Sequence, residues 1–213
     1  MLRNIYLSPI GVFISIVLNV LAVFRRPFMV YGYWDRPSRS FRKRTRISST
    51  ASVGARSSVS IADNVWIWHY SIIDGSHGVT IGEGVQIGAW CGIFSHGSHI
   101  AIRLLGARFI ERDQNRRTGY VGASVSIGDY TFIGTGALVL PGAKIGKGCI
   151  IAPNSVVSGN IPDYAIAKGD PAQIAGDTRD FDRRFFRDPS VYATYYDPDI
   201  AENMRQDKDL PKN

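Results

Sequence analysis

The stretch Ile127-Gly128-Asp129-Tyr130-Thr131-Phe132-Ile133-Gly134-Thr135-Gly136-Ala137-Leu138-Val139 runs on without a break through Ile145 and Ile151 to Val157, and its spacing decides the fold. An aliphatic residue recurs every six positions. Gly or Ala commonly follows it, and a small residue stands four positions on: Thr131, Ala137, Ala143, Cys149 and Ser155. A helix would repeat at 3.6 and a half-buried strand at 2, so neither explains the run. A period of six predicts an all-β parallel β-helix, in which six residues make one short strand and one tight corner. Three units close a triangular coil, and each aliphatic residue stacks on its counterpart one coil along, about 4.8 Å away. A sandwich of short strands would show irregular spacing and period-2 alternation instead.

Upstream the pattern continues. Ile61, Ile67 and Ile73 fill three faces, here called A, B and C. Ile81, Ile87 and Ile93 fill the next coil, then Ile127, Ile133 and Val139, then Ile145, Ile151 and Val157; Ile47 and Val53 precede them. Within a coil every step is six. From C to A the step is eight at Val53–Ile61, eight at Ile73–Ile81 and thirty-four at Ile93–Ile127, and six at Val139–Ile145. All extra residues therefore leave at one edge of the prism. The largest excursion lies between Phe94 and Ser126. Loops grafted on a rigid scaffold are where function concentrates.

Around this repeat, the 213 residues suit one domain with appendages: residues 1–46, a β-helix over 47–175 with an inserted loop at about 94–126, and a tail over 176–213. The two cysteines, Cys91 and Cys149, occupy inward small slots and read as core; they cannot frame a disulfide scaffold, and no Cys/His spacing matches a structural zinc site. The net charge of +7 sits in one place. Residues 25–46 hold Arg25, Arg26, Arg36, Arg39, Arg42, Lys43, Arg44 and Arg46 against Asp35 alone. No nucleic-acid-binding signature accompanies them, so no nucleic-acid partner is expected. Before them, Ile5 to Phe24 carries no charge. This run reads as a membrane-associated helix with the basic stretch at the cytoplasmic surface. A cleaved signal peptide and an oligomer contact are the other readings; the run is long and no small-residue cleavage site follows it. The expected location is the cytoplasmic face of a bacterial inner membrane, through residues 5–24.

Three of the four histidines belong to the C-to-A edge: His96 and His99 open the long excursion, and His77 lies in the shorter bulge one coil below. With these residues in place, the sequence resembles the left-handed β-helix hexapeptide-repeat acyltransferases. The resemblance covers about 47–99 and 121–174. It implies a left-handed coil, a homotrimer with active sites between subunits, acetyl-CoA as co-substrate with no metal, and a sugar or lipid-linked glycan as acceptor. It also implies a histidine general base just after a C-face aliphatic. Gly97-Ser98-His99 makes His99 the first candidate and His96 the second. Asp74 and Ser76, one coil beneath, are placed to orient the imidazole, and Trp68, Asp74 and His77 are candidate acceptor-binding residues. Trp68 belongs to an outward aromatic group, Trp66, Trp68 and Tyr70, that suits a sugar ring or a neighbouring subunit. The implied coenzyme A contacts are Phe132, Gly134, Gly136 and Ala152, with Lys168 and Pro171 in the terminal Lys168-Gly169-Asp170-Pro171-Ala172-Gln173. Corner geometry alone is the competing reason for the glycines. The arginines of the excursion, Arg103, Arg108, Arg112, Arg116 and Arg117, suit a cover over the site or an anionic acceptor. The expected activity is O-acetylation of a surface-glycan precursor. N-acetylation of an amino sugar, a non-catalytic trimeric scaffold and a γ-class carbonic anhydrase-like metal site are the alternatives.

Overall fold

The protein is described by a computed structural model over residues 8–23, 26–186 and 188–206. Three parallel sheets form a triangular prism. On face A, Ile61, Ile81, Ile127, Ile145 and Ile161 lie opposite one another in successive strands. On face B the series is Ile47, Ile67, Ile87, Ile133, Ile151 and Ala167. On face C it is Val53, Ile73, Ile93, Val139 and Val157. The register expected from the spacing is the register found. Structure adds one coil, because Ile161 and Ala167 continue faces A and B after a C-to-A step of only four residues. From Ile61 onward these inward side chains are 0–6% exposed. Burying one such side chain contributes about 1.5–3 kcal/mol, so the stacked ladders dominate stability.

The small slots do more than fit a narrow interior. Ser71 Oγ donates to the Gly88 carbonyl and Thr131 Oγ1 to the Gly146 carbonyl, each 2.8 Å away on the next coil. The Cys91 and Cys149 thiols point to Gly134 and Pro162 carbonyls in the same way. Burial pushes both thiol pKa values up, which suits core residues and not nucleophiles.

Within residues 26–46 the chain forms a hairpin that uses part of the basic cluster, while Arg36, Arg39 and Lys43 stay exposed. Helix α1 spans Pro9–Val23, 15 residues or about 22 Å. Strands β1 (Met29–Asp35) and β2 (Ser40–Ser48) then pair as an antiparallel hairpin, and the end of β2 becomes the first strand of face B. Asp35 is fully buried and accepts hydrogen bonds from the Ile61 N–H and Ser38, with Arg42 Nη2 at 3.5 Å. Arg44 bridges Asp63 and Glu83, each at 3.0 Å, and Arg46 lies over the Trp66 ring. The fold therefore engages three of the eight cations in pairs of its own, and they are not left for a lipid surface.

At the other end, strand Gln173–Asp177 returns antiparallel to Ala165–Lys168. The tail then forms helices α2 (Thr178–Asp182), α3 (Pro189–Thr194) and α4 (Pro198–Gln206). It docks on the A–B edge: Tyr196 stacks on Tyr130, and Asp197 accepts from Lys147 Nζ at 2.7 Å and from Tyr164.

Candidate active site

The C–A edge holds the site because two consecutive excursions leave there. Asp74, Ser76 and His77 occupy the eight-residue step after Ile73. His96 opens the long step after Ile93, directly above them. The long excursion leaves and returns as a two-stranded ribbon, His96–Gly97 against Val121–Gly122. Cross-coil bonds tie the two levels: Ser95 Oγ donates to the Asp74 carbonyl and accepts from the His77 N–H, both at 2.8 Å.

Within this frame His96 Nδ1 contacts Asp74 Oδ2. Ser76 supports the same carboxylate, with its Oγ at 2.6 Å and its N–H at 3.2 Å from Oδ1. Partial burial works against the Asp74 anion, but the Ser76 and His96 hydrogen bonds outweigh it and hold the carboxyl below its usual pKa. An ionised Asp74 accepts the Nδ1 proton, which leaves His96 Nε2 as the basic nitrogen. The His96 side chain is 35% exposed and Asp74 18%, so the imidazole is reachable while its partner is sheltered. His96 lines a cleft of about 340 Å³ together with Phe94, Gly97, His99, Val121, Leu140, Pro141 and Ser158. Its walls are apolar except for the two imidazoles and the Ser158 hydroxyl.

Several expected site residues sit elsewhere. His99, the first candidate for the base, lies in the cleft wall with no carboxylate paired to it among the described residues; its carbonyl takes a hydrogen bond from Arg103. His77 is packed beneath Gly122 and beside Tyr120, outside the cleft lining. Trp68 follows Ile67, so it lies on the B–C edge, edge-on to His69. The next aromatic pair on that edge is Tyr70 stacked on Trp90 at 4.4 Å. The expected coenzyme contacts lie above them: Phe132 points outward from the face B strand Phe132–Ile133, and Gly134 to Gly136, then Ala152, then Lys168 with Pro171 follow on the B–C edge in stacked coils. Phe132 is exposed. Gly134 does not offer a ligand its open side, because the backbone of Ile151 and Pro153 in the next coil fills the place of a Cβ. Gly136 has φ +74 and a Cβ there would collide with Asn154, so its glycine serves the corner. Arg117 stacks on Phe109 and donates to its carbonyl, so at least this arginine of the excursion serves the loop itself.

Leu140, Pro141 and Ser158 were not singled out in the sequence, yet register could find them. They directly follow Val139 and Val157, as Phe94 follows Ile93. Tyr120 had no such signal, because the excursion lies outside the repeat. Among the described residues no three His, Cys, Asp or Glu side chains group as metal ligands.

Known proteins resemble this arrangement. Residues 124–159 match the bacterial transferase hexapeptide family (six repeats). A Mycobacterium tuberculosis protein named as an acetyltransferase is 34% identical over 119 residues, 55% of this chain and 36% of its own. WbbJ of Escherichia coli, whose name assigns it to lipopolysaccharide biosynthesis as an O-acetyl transferase, is 32% identical over 121 residues, 56% of this chain and 60% of its own. The matched stretch thus spans between about a third and three fifths of these relatives. A galactoside acetyltransferase solved with coenzyme A shares the fold at a TM-score of 0.52 and 23% identity, over 62% of each chain. That likeness implies a left-handed coil. Residues 124–159 thus carry repeats of the bacterial transferase hexapeptide type, and about half of the chain is similar to proteins named acetyltransferases.

Proposed function

We propose that this protein transfers acetyl from acetyl-CoA to a sugar hydroxyl, with His96 as general base. The Asp74–His96 pair at the mouth of an apolar cleft carries the reading. Asp74 holds the Nδ1 proton, so Nε2 accepts the proton of the acceptor hydroxyl as its oxygen attacks the thioester carbonyl. The C–S bond breaks, and His96 returns the proton to the leaving thiolate, giving the ester and free coenzyme A. The cleft walls of Phe94, Leu140 and Pro141 suit the uncharged acyl end of the thioester and exclude water from it.

The likeness to WbbJ supports a surface-glycan precursor as acceptor. Helix α1 supports a lipid surface as the workplace, since apolar side chains are exposed on every side of it, Phe13 at 66%. Among the described residues no helix is long and apolar enough to cross a membrane. We therefore read α1 as embedded in one leaflet, with the prism in the cytoplasm. The full chain is expected to float with anionic vesicles and the double variant Phe13→Glu, Val17→Glu to stay in solution; equal flotation of both rejects the lipid contact.

Coenzyme A release from acetyl-CoA in the presence of a sugar acceptor tests the activity itself. His96→Ala should lose about 10²-fold or more of that rate, the usual worth of a general base, while His99→Ala retains most of it. Full activity in His96→Ala, or no acetyl transfer to any sugar by the unaltered protein, overturns the proposal.

A further inference from the structure

The His96 imidazole has a second contact besides Asp74. The Tyr120 ring stacks on it at 5.7 Å between centroids and 15° between planes. Tyr120 also meets His77, 5.6 Å away and tilted by 45°. One phenol ring, delivered by the excursion, thus touches imidazoles from two successive coils.

The local sequence explains why the ring sits there. Gly119 has φ +79, and a Cβ on it would press on Ile100 and Leu104, so glycine lets the returning chain pass close to the short helix Ala101–Leu105. Immediately after Tyr120, Val121 and Gly122 pair with Gly97 and His96. Gly122 lies against the His77 ring, leaving no room for a side chain. The Tyr120 hydroxyl meets Gln114 of the same excursion. His77 itself is held by packing: its Nδ1 is buried and has no hydrogen-bond partner among the described residues.

We propose that Tyr120 is a positioning residue for His96, a clamp by which the folded excursion sets the imidazole. Asp74 fixes one ring nitrogen but leaves the ring free to swing about that hydrogen bond. A flat partner against the ring face removes the swing, and His77 packs against the same partner. The aromatic face does this work, and the hydroxyl only tethers Tyr120 to its own loop. This rests on the reading of His96 as the base, and it assigns that base a dependence on the loop that the repeat alone does not give.

Histidine-labelled protein observed by NMR tests the clamp apart from the chemistry. The His96 ring protons, identified by their loss in His96→Ala, should be shielded by Tyr120. They should stay in place in Tyr120→Phe and move downfield in Tyr120→Leu and in Tyr120→Ala. Leucine keeps the volume without the aromatic face, so it tests the clamp even if alanine unfolds the loop. In kinetics Tyr120→Phe should remain near the unaltered protein. Tyr120→Leu should lose about 10-fold or more in kcat with little change in KM, as expected when a catalytic group is misplaced by a fraction of an ångström. Unmoved His96 signals in Tyr120→Leu overturn the clamp. Displaced signals in a protein that acetylates no sugar would keep the clamp and sink the acetyl-transfer reading.

Discussion

His96 and His99 stand three residues apart, and only their surroundings separate them. Asp74 meets His96 because Ile73 and Ile93 are paired in register, which puts the residues after them one above the other. Asp74→Asn keeps that geometry but removes the anion that holds the Nδ1 proton. It should lower kcat by about 10²- to 10⁴-fold with KM nearly unchanged, as for other carboxylate–imidazole pairs; a loss under threefold would assign Asp74 a structural role only. Much of this was legible beforehand. The edge, the two histidines and the carboxylate beneath them follow from counting sixes. The choice between the histidines was not, since a Gly-Ser-His string says nothing about which imidazole faces the coil below. The stacking of Tyr120 was also out of reach, because side-chain direction in an aperiodic loop depends on contacts that spacing does not encode.

At the scale of elements, the tail is the part whose hold on the prism depends on acidity. Hydrogen bonds from Lys147 and Tyr164 lower the Asp197 carboxyl to a pKa of about 2. Its folded value is below its unfolded one, so the stabilisation is complete above the unfolded pKa of about 3.9 and is lost as pH falls toward 2. Protease cleavage within 178–206 should therefore quicken between pH 4 and pH 2, and Asp197→Asn should show fast cleavage already at neutral pH. A variant as resistant as the unaltered chain would refute this. The β1–β2 hairpin shows what reading by charge leaves out. Charge counting locates the basic cluster but not its ion pairs: strand pairing brings Arg42 to Asp35 and Arg44 to Asp63 and Glu83, partners 7 to 39 positions away.

For the whole molecule, the ladders were the easiest part to read, since a period of six admits few alternatives. The closing coil through Ile161 and Ala167 was harder, because a four-residue corner hides its phase. The prism also constrains how two substrates can meet. Phe132 faces outward from side B, and His96 stands on the edge between C and A, across the prism from it. We propose that in a trimer a coenzyme touching Phe132 of one copy reaches the His96 of a neighbour. If so, mixing the inactive His96→Ala and Phe132→Asp proteins after dissociation should restore part of the activity; no recovery in the mixed, reassembled protein would place each site within a single chain. The two ends of face B bear on the same question. β1 lies antiparallel below the first coil, with a break in its register at Gly32, and Gln173–Asp177 lies antiparallel above the last. Unprotected ends of a parallel stack would template further chains and grow into fibres. Here each terminus of face B presents a strand running the wrong way for its successor. A second copy therefore cannot simply continue the parallel coil from either end of face B.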